Sequence, residues 1–215
     1  MSLIAVVDYG MGNLRSVSKA IEHVAASSDQ VIVTSSAEEI SNADRVVFPG
    51  QGAARDCMNE LTSRGLDQVV LQAAREKPFL GICMGMQVLL SHSEENNGTD
   101  CLNLFAGEVK RFDDHMHDDK GLKLKIPHMG WNQVNWTSDH PLTHKINQQS
   151  RFYFVHSYFA GPADESIVAA KSQYGIDFVC AIAKDNVMAV QFHPEKSAAD
   201  GLQLLKNFCH WNGQQ

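Results

Sequence analysis

One of the five cysteines lies in a stretch where it could act as a nucleophile. Residues 79–90 read FLGICMGMQVLL, which places Cys83 between Gly81 and Gly85, where an apolar run meets an amphipathic one. This G-x-C-x-G pattern is the cysteine version of a strand-to-helix turn that holds a nucleophile above a sheet. Glycine neighbours leave room for a backbone that doubles back on itself. The alternative is an inert cysteine in a glycine-rich turn, since free cysteine is among the most buried residue types.

A second stretch contains residues that could activate this cysteine. A thiol nucleophile needs a base, and the base needs a third group to orient it. Most of the ten histidines lie in polar runs, but His193 follows an apolar strand in VMAVQFHPEKS and is followed by a proline and Glu195. Catalytic groups of parallel α/β sheets gather at the carboxyl ends of strands. The pattern predicts a triad of Cys83, His193 and Glu195; the alternative is that His-Pro-Glu merely ends a strand.

Attack on a carbonyl also requires hydrogen-bond donors for the oxyanion. Met84 follows the nucleophile and can offer its N–H at the start of a helix. The PGQGA turn at residues 49–53 ends a neighbouring strand, and we expect the Gln51 N–H to be the second donor. The alternative for these glycines is an ordinary tight strand-to-helix turn.

Composition narrows the classes of protein that need considering. The 215 residues suit one domain, and a formal net charge of −7 argues against nucleic acid or an anionic membrane as the main partner. No apolar run is long enough to span a membrane, and the start, MSLIAVVDYG, is typical of a strand rather than a signal peptide. The cysteines are odd in number, widely spaced and without a C-x-x-C pair, which indicates neither a zinc ribbon nor a disulfide framework. We therefore expect a reducing, cytoplasmic location.

The first half of the chain alternates between strand and helix patterns. Strands are expected at 3–7, 31–34, 45–48 and 79–82, with helices at 14–26, 57–63, 66–76 and 86–91, the first of them capped by Asn13. This alternation predicts βαβ units in a parallel sheet with helices on both faces.

The second half predicts a mixed region built onto that sheet. Short strands are expected at 109–112, 134–136, 152–155, 167–170, 178–183 and 187–191, followed by a helix at 201–211. We find no internal repeat and no Pro/Ser-rich linker, and therefore expect a single domain over residues 1–215.

Residues 113–119, Asp-Asp-His-Met-His-Asp-Asp, are the one low-complexity stretch. Its H-x-H pattern between carboxylates could bind a divalent metal. A solvated surface turn is the favoured interpretation because nothing in the stretch fixes ligand geometry, and no metal site is predicted.

Together these motifs resemble a known family. GICMGMQ around Cys83 and QFHPEKS around His193 resemble the triad-type, class I glutamine amidotransferases, which hydrolyse glutamine through a cysteine thioester and pass ammonia to a synthase. Three further stretches resemble the branch formed by the glutaminase subunits of imidazole glycerol phosphate synthases, in histidine biosynthesis: DYGMGNLRS (8–16), HMGWN (128–132) and FYFVHSY (152–158). The resemblance implies a flavodoxin-like α/β fold. Anthranilate- and carbamoyl-phosphate-type relatives usually have His in place of Met86.

The resemblance also implies contacts with glutamine. Gln87 is expected to hold the α-amino or α-carboxylate group, together with Gly52 and the backbone around Ser157 and Tyr158. Gln51 departs from the family pattern, which more often has an apolar residue there, so the role of its side chain is open. The alternatives are a solvated helix residue for Gln87 and a simple strand end for Ser157.

A partner is implied as well. The branch pairs as a heterodimer with a (β/α)8-barrel cyclase subunit, which receives the ammonia and forms imidazole glycerol phosphate and an aminoimidazole carboxamide ribotide. No metal or organic cofactor is implied. The resemblance places Asn13, Trp131, Tyr153 and Lys196 in or beside the subunit interface; the alternatives are a core tryptophan and a solvated lysine.

Two other functional classes fit parts of the pattern. A cysteine peptidase or amidase on a related α/β scaffold would need neither HMGWN nor a partner. A catalytically idle interaction subunit would not need the triad, and the intact Cys83, His193 and Glu195 argue against it.

Overall fold

The computed structural model describes residues 1–214, which form an α/β protein. Its strands are β1 (Leu3–Val7), β2 (Gln30–Thr34), β3 (Arg45–Gly50), β4 (Phe79–Cys83), β5 (His92–Ser93), β6 (Thr99–Asp100), β7 (Gly107–Arg111), β8 (His128–Gln133), β9 (Asn135–Trp136), β10 (Arg151–His156), β11 (Tyr158–Pro162), β12 (Val168–Tyr174), β13 (Ile176–Lys184) and β14 (Val187–Val190). Its helices are α1 (Leu14–Val24), α2 (Ala37–Asn42), α3 (Ala54–Ser63), α4 (Asp67–Glu76), α5 (Met84–Gln87) and α6 (Ala198–His210).

The parallel half of the sheet has the order β2-β1-β3-β4-β14. β1, β4 and β14 are buried along nearly their whole length, as expected for strands that helices cover on both faces. The register pairs Ile82 of β4 with Val190 of β14, so Cys83 and the residues after Val190 leave the sheet at the same edge. The predicted parallel α/β sheet is confirmed.

Helices cover this sheet on both faces, as predicted. Val17 and Ile21 of α1 and Leu204 of α6 are buried in one core, and Leu61 of α3 and Val70 of α4 are buried in the other. Amphipathic spacing accounts for these helices because their apolar side chains recur at three- and four-residue intervals. The short helix α2 was not predicted.

Antiparallel strands extend the sheet beyond β14, in the order β13-β11-β7, and the short β5 and β6 complete the edge. β12 pairs with β13 and with β9, and a separate antiparallel pair is formed by β8 and β10. The predicted mixed region is confirmed, with bounds shifted by a few residues. Strands β8 and β11 were not predicted, although both contain quoted motif residues.

The helix predicted at 86–91 is wrong in both bounds. Helix α5 begins at Met84, directly after Cys83, and ends at Gln87. The chain returns beside it, and the N–H groups of Leu102, Asn103 and Leu104 donate to the carbonyls of Val88, Leu90 and Leu89. Those carbonyls therefore bond to a neighbouring segment instead of continuing the helix.

Residues 113–119 form turns on the surface, where Arg111 binds the carboxylate of Asp114 through two hydrogen bonds of 2.8 and 2.9 Å. Within residues 1–214, no three His, Cys, Asp or Glu side chains are arranged to share a metal ion. No helix of this described part is long and apolar enough to cross a membrane.

Candidate active site

Cys83 occupies a strained turn between β4 and α5. Its φ and ψ angles are 57° and −111°, in a region that L-residues rarely adopt. The two glycines allow the elements on either side to approach closely. A Cβ on Gly85 would overlap the carbonyl oxygen of Phe48, and one on Gly81 would lie 2.9 Å from the Cβ of Ala189. The predicted turn can form because the chain has glycine at the two positions that lie against β3 and β14.

His193 and Glu195 form a buried pair beside this turn. Nδ1 of His193 lies 2.9 Å from Oε1 of Glu195, and their side chains are 8% and 1% exposed. Nε2 of His193 is buried without a hydrogen-bond partner. Burial lowers the pKa of His193, but the neighbouring sulphur of Cys83 and carboxylate of Glu195 outweigh it and raise the pKa from the ordinary 6.5 to about 10.

The backbone around His193 is anchored to β10. The His193 N–H donates to the carbonyl of Tyr153 at 2.9 Å, and the Ser197 hydroxyl donates to the carbonyl of His193 at 2.6 Å. The same hydroxyl accepts from the N–H of Tyr153 at 2.9 Å. These bonds tie the segment that carries His193 to β10, and the chain itself joins it to β14.

Cys83 and His193 both line a cavity of about 550 Å³. The cavity brings together nine of the residues that the sequence singled out: Gln51, Gly52, Cys83, Met84, Gln87, Ser157, Tyr158, His193 and Lys196. Glu195 lies behind His193, and Asn13, Trp131 and Tyr153 do not line this cavity. Its volume suits a small-molecule ligand.

Gln87 is buried, contrary to the alternative of a solvated helix residue. Only 2% of it is exposed, and its Nε2 donates to the Tyr158 carbonyl at 3.1 Å and to Oε1 of Gln191 at 2.9 Å. Oε1 of Gln87 has no partner, although the side chain lines the cavity. A buried oxygen without a partner is costly, so it is available to a ligand donor.

The predicted oxyanion donors, Met84 and Gln51, lie at the cavity wall, in α5 and in the turn after β3. Met84 is the first residue of α5, where a backbone N–H has no partner within the helix. Gln51 and Gly52 line the cavity, and the carbonyl of Gln51 accepts from the buried thiol of Cys57 at 3.4 Å. A trans peptide is planar, so the Gly52 N–H points away from that thiol.

Three of the four sequence-predicted interface residues, Trp131, Tyr153 and Lys196, lie together beside the segment that carries His193. Trp131 is 44% exposed and packs edge-on against Tyr153 with 6.4 Å between ring centroids. The ammonium of Lys196 lies 5.9 Å from the centre of the Tyr153 ring. Asn13 caps α1, its side chain accepting from the N–H of Ser16 at 3.4 Å. Trp131 is therefore not a core residue, whereas the cap gives Asn13 a structural role of its own.

Sequence reasoning missed two residues, one beside Cys83 and one at the cavity wall. Gln191 is fully buried, and its Nε2 lies 3.7 Å from Sγ of Cys83. Glu95 lines the cavity while its Oε2 accepts from the N–H of Ala54 at 2.7 Å. Gln191 could have been found from its position two residues before His193. Glu95 lies in a polar turn, Glu95–Asn97, and no sequence signal separates it from a solvated acid.

Comparison with known proteins identifies the same family that the motifs resemble. The family model for glutamine amidotransferase class-I matches residues 5–211. The imidazole glycerol phosphate synthase subunit HisH of Hydrogenovibrio crunogenus is 56% identical over 212 residues, covering 99% of this chain and 98% of its own length. The subunit of that name from Thiobacillus denitrificans is 61% identical over 210 residues, covering 97% and 91%.

A solved structure, that of PurLQS from Thermotoga maritima, superposes with a TM-score of 0.71 over 98% of this chain and 99% of that chain. At 16% identity it supports the fold alone. The match to the family model and the two HisH relatives span almost the whole chain, and the chain belongs to the class-I glutamine amidotransferase family.

Proposed function

We propose that this chain is the glutaminase subunit of an imidazole glycerol phosphate synthase and hydrolyses L-glutamine to glutamate and ammonia. The observation that carries the proposal is Cys83, held on a strained turn beside the buried His193–Glu195 pair at the wall of a cavity. Membership of the class-I glutamine amidotransferase family supports the choice of glutamine over a peptide substrate. The proposal treats residues 1–215 as one glutaminase domain in the cytoplasm.

Each step of the reaction uses groups at this site. The Cys83 thiol gives its proton to Nε2 of His193, and the thiolate attacks the side-chain carbonyl carbon of glutamine. The N–H of Met84 and a donor from the Gln51 turn stabilise the oxyanion. His193 then protonates the departing nitrogen, and ammonia leaves a thioester. Water, deprotonated by His193, cleaves the thioester to glutamate and restores the thiol, while Glu195 keeps the imidazole oriented.

The cavity also supplies partners for the charged end of glutamine. The substrate carries an α-ammonium, which needs an acceptor. The carboxylate of Glu95 and the unpartnered Oε1 of Gln87 are both available at the cavity wall. Gly52 and the backbone at Ser157 and Tyr158 complete the contacts in this proposal.

The ammonia is passed to a (β/α)8-barrel cyclase subunit in a heterodimer. The two HisH relatives are themselves named as subunits of a synthase, which supports a second chain. Ammonia must not meet bulk water on its way, so the partner covers the edge of the sheet where Cys83 lies. The docking surface proposed here consists of Trp131, Tyr153 and Lys196, which lie beside His193. Asn13 is included because its motif resembles that of the family branch.

A glutaminase assay with and without the purified barrel subunit and its nucleotide ligand tests the proposal. Glutamine hydrolysis without capture of ammonia is wasteful, so we expect slow turnover alone and strong stimulation in the liganded complex. Cys83→Ala abolishes turnover in both, while the complex supplied with ammonium keeps its synthase activity because the small truncation leaves docking intact.

Cys101→Ala is the matched control, since Cys101 is half-buried and does not line the cavity. Its glutamine turnover stays within about twofold of the wild-type rate. Near-normal turnover in Cys83→Ala would contradict the mechanism, and an isolated chain as fast as the liganded complex would contradict the stimulation.

A further inference from the structure

The buried side chain of Gln191 approaches the nucleophile from the neighbouring strand. The pairing of Ile82 with Val190 places Cys83 and Gln191 next to each other just beyond the parallel ladder. The N–H of Gln191 donates to the carbonyl of Cys180 at 2.8 Å, which fixes its backbone to β13. Its Nε2 then lies 3.7 Å from the sulphur of Cys83, and none of the residue is exposed.

The hydrogen-bond partners determine which end of this amide faces the sulphur. The backbone carbonyl of Tyr158 can only accept, so the Gln87 atom 3.1 Å away must be its NH₂ group. That NH₂ group also lies 2.9 Å from the Gln191 side chain, which must therefore present its oxygen there. The NH₂ group of Gln191 is left facing Cys83. Two amides and one carbonyl thus point a donor at the reacting atom.

We propose that Gln191 is a further catalytic residue, whose side-chain N–H donates to the Cys83 thiolate and stabilises it. The inference rests on the proposed function, because it requires Cys83 to react as a thiolate. No bond to Gln191 forms or breaks: the Cys83 proton passes to His193, and the amide contributes only a hydrogen bond.

Burial makes this one donor consequential. A hydrogen bond to a charged acceptor is stronger than a neutral one, and water cannot replace a donor in a fully buried position. A neutral amide also stabilises the thiolate without taking up the proton that His193 must hold and later deliver. The same amide has a structural bond to Gln87, so loss of stability alone cannot distinguish the catalytic role from a structural one.

The test follows alkylation of Cys83 by iodoacetamide between pH 5 and 9.5, with the modified peptide identified by mass spectrometry. Gln191→Met keeps the length of the side chain and removes the donor. We expect the midpoint of the alkylation curve to move up by about one pH unit, which is a tenfold change in the ratio of thiolate to thiol. Gln148→Met is the control: it breaks two hydrogen bonds to the backbone of Trp136 and leaves the curve unchanged.

A double variant, Gln87→Met with Gln191→Met, removes both amides and leaves no orphaned donor if the single variant does not fold. The same upward movement is expected for it. An unchanged curve in the folded single variant, or in the double variant where only that one folds, overturns the assignment. A wild-type Cys83 that iodoacetamide does not modify at any pH contradicts the proposed function itself, and the role of Gln191 with it.

Discussion

The buried histidines at and beside the site have pKa values shifted in opposite directions. That of His193 is raised, and those of His128 and His156 are lowered. His193 has a carboxylate and a thiol beside it, which raise its pKa despite burial. His156 instead donates from Nδ1 to the Tyr158 carbonyl at 2.8 Å, so its Nε2, 2.9 Å from Nδ1 of His128, must accept. His128 then has only a lone pair on Nε2, which faces the amide of Asn132. An added proton would place two donors face to face, so this pair is built to stay neutral.

The buried neutral histidines predict a pH dependence of stability. Burial lowers the pKa from 6.5 to about 4 for His128 and His140 and to about 3 for His156. Below pH 6.5 the unfolded chain therefore takes up protons that the folded chain does not, and the free energy of unfolding falls as the pH is lowered. His193 has a raised pKa, so its stabilising contribution becomes complete as the pH falls below 6.5 and opposes only a small part of the loss. Urea titrations at pH 6.5 and pH 5 measure the loss.

Substitution isolates the contribution of the pair. His128→Gln lowers stability at both pH values by breaking hydrogen bonds, but it reduces the loss between pH 6.5 and pH 5 because one titrating group is gone. Val33→Ala, at an exposed position without a titratable group, leaves that loss unchanged. An equal loss in wild-type protein and His128→Gln would show that this histidine takes up its proton in the folded state too.

At the scale of elements, helix α3 holds the turn after β3 through a hydrogen bond from Cys57. The hydroxyl of Tyr9 donates to Sγ of Cys57 at 3.6 Å, and that thiol donates to the carbonyl of Gln51 at 3.4 Å. Burial raises the pKa of Cys57 to about 11, so it remains a protonated donor at neutral pH. A Cβ on Gly50 would lie 2.5 Å from the Tyr9 hydroxyl, which shows how closely the turn is packed on this chain of donors.

Removing the thiol should loosen the turn without touching the triad. In Cys57→Ala the Gln51 carbonyl loses its donor, and we expect amide hydrogen exchange in residues 50–53 to rise by about fivefold, since one hydrogen bond contributes about 1 kcal/mol. Exchange measured by mass spectrometry on overlapping peptides reports this directly. Cys209→Ala removes a thiol that is also buried but lies in the other core, and exchange in the turn stays at the wild-type rate. Equal rates in Cys57→Ala and wild type would assign the turn to other contacts.

The elements that could be predicted from sequence are those whose signal is local. β1, β3, α3 and α4 carry their apolar spacing within a few residues, and helix-strand alternation gives their arrangement. β8 and β11 could not be predicted because their sequences, HMGWNQ and YFAGP, show no clean alternation of apolar and polar residues. Their partners are strands that lie elsewhere in the sequence. Helix α5 was misplaced for the same reason: the segment that ends it returns from residues 102–104.

The site residues, like the elements, could be predicted where their signal is local in the sequence. Cys83, His193 and Glu195 carry a spacing that indicates chemistry, and the structure brings them together. Gln191 lies two residues before His193, but only the pairing of β4 with β14 shows that it lies beside Cys83. Glu95 reaches the cavity from a polar turn whose position depends on α3.

At the scale of the whole molecule, β14 joins a parallel half to an antiparallel half. β4 lies on one side of it and β13 on the other, and the cavity opens where β14 ends. Strand β10 belongs to the small second sheet, and the carbonyl of its Tyr153 accepts from the N–H of His193. The ring of Tyr153 packs against Trp131. Only β10 therefore lies between His193 and a partner that docks on Trp131.

This arrangement predicts how the docking surface behaves. Trp131→Ala should weaken association with the barrel subunit by more than about 1 kcal/mol, because an exposed tryptophan beside an aromatic ring is a typical interface anchor. Titration calorimetry measures the change. Val33→Ala is the control, since Val33 is 43% exposed against 44% for Trp131 but lies on the edge strand β2. Unchanged affinity for Trp131→Ala would remove it from the interface.

Lys196 provides a kinetic counterpart. It follows Glu195 and lines the cavity while its ammonium lies near the Tyr153 ring. Covering it with a partner is costly unless a carboxylate of that partner meets it. Lys196→Ala should therefore impair ligand-stimulated glutamine hydrolysis more than hydrolysis by the isolated chain, and equal effects on the two rates would contradict a role in docking.

The position of β14 also determines when activity can arise during synthesis. Among the strands of residues 1–214 it comes last in sequence, yet it inserts between β4 and β13. A growing chain thus carries its thiol on an open sheet edge, with no imidazole beside it, until residues 187–195 have left the ribosome. Open edges invite pairing with other chains, so this interval is the one in which the nascent protein is most exposed to misassembly. The proposed triad is complete only when that edge is closed.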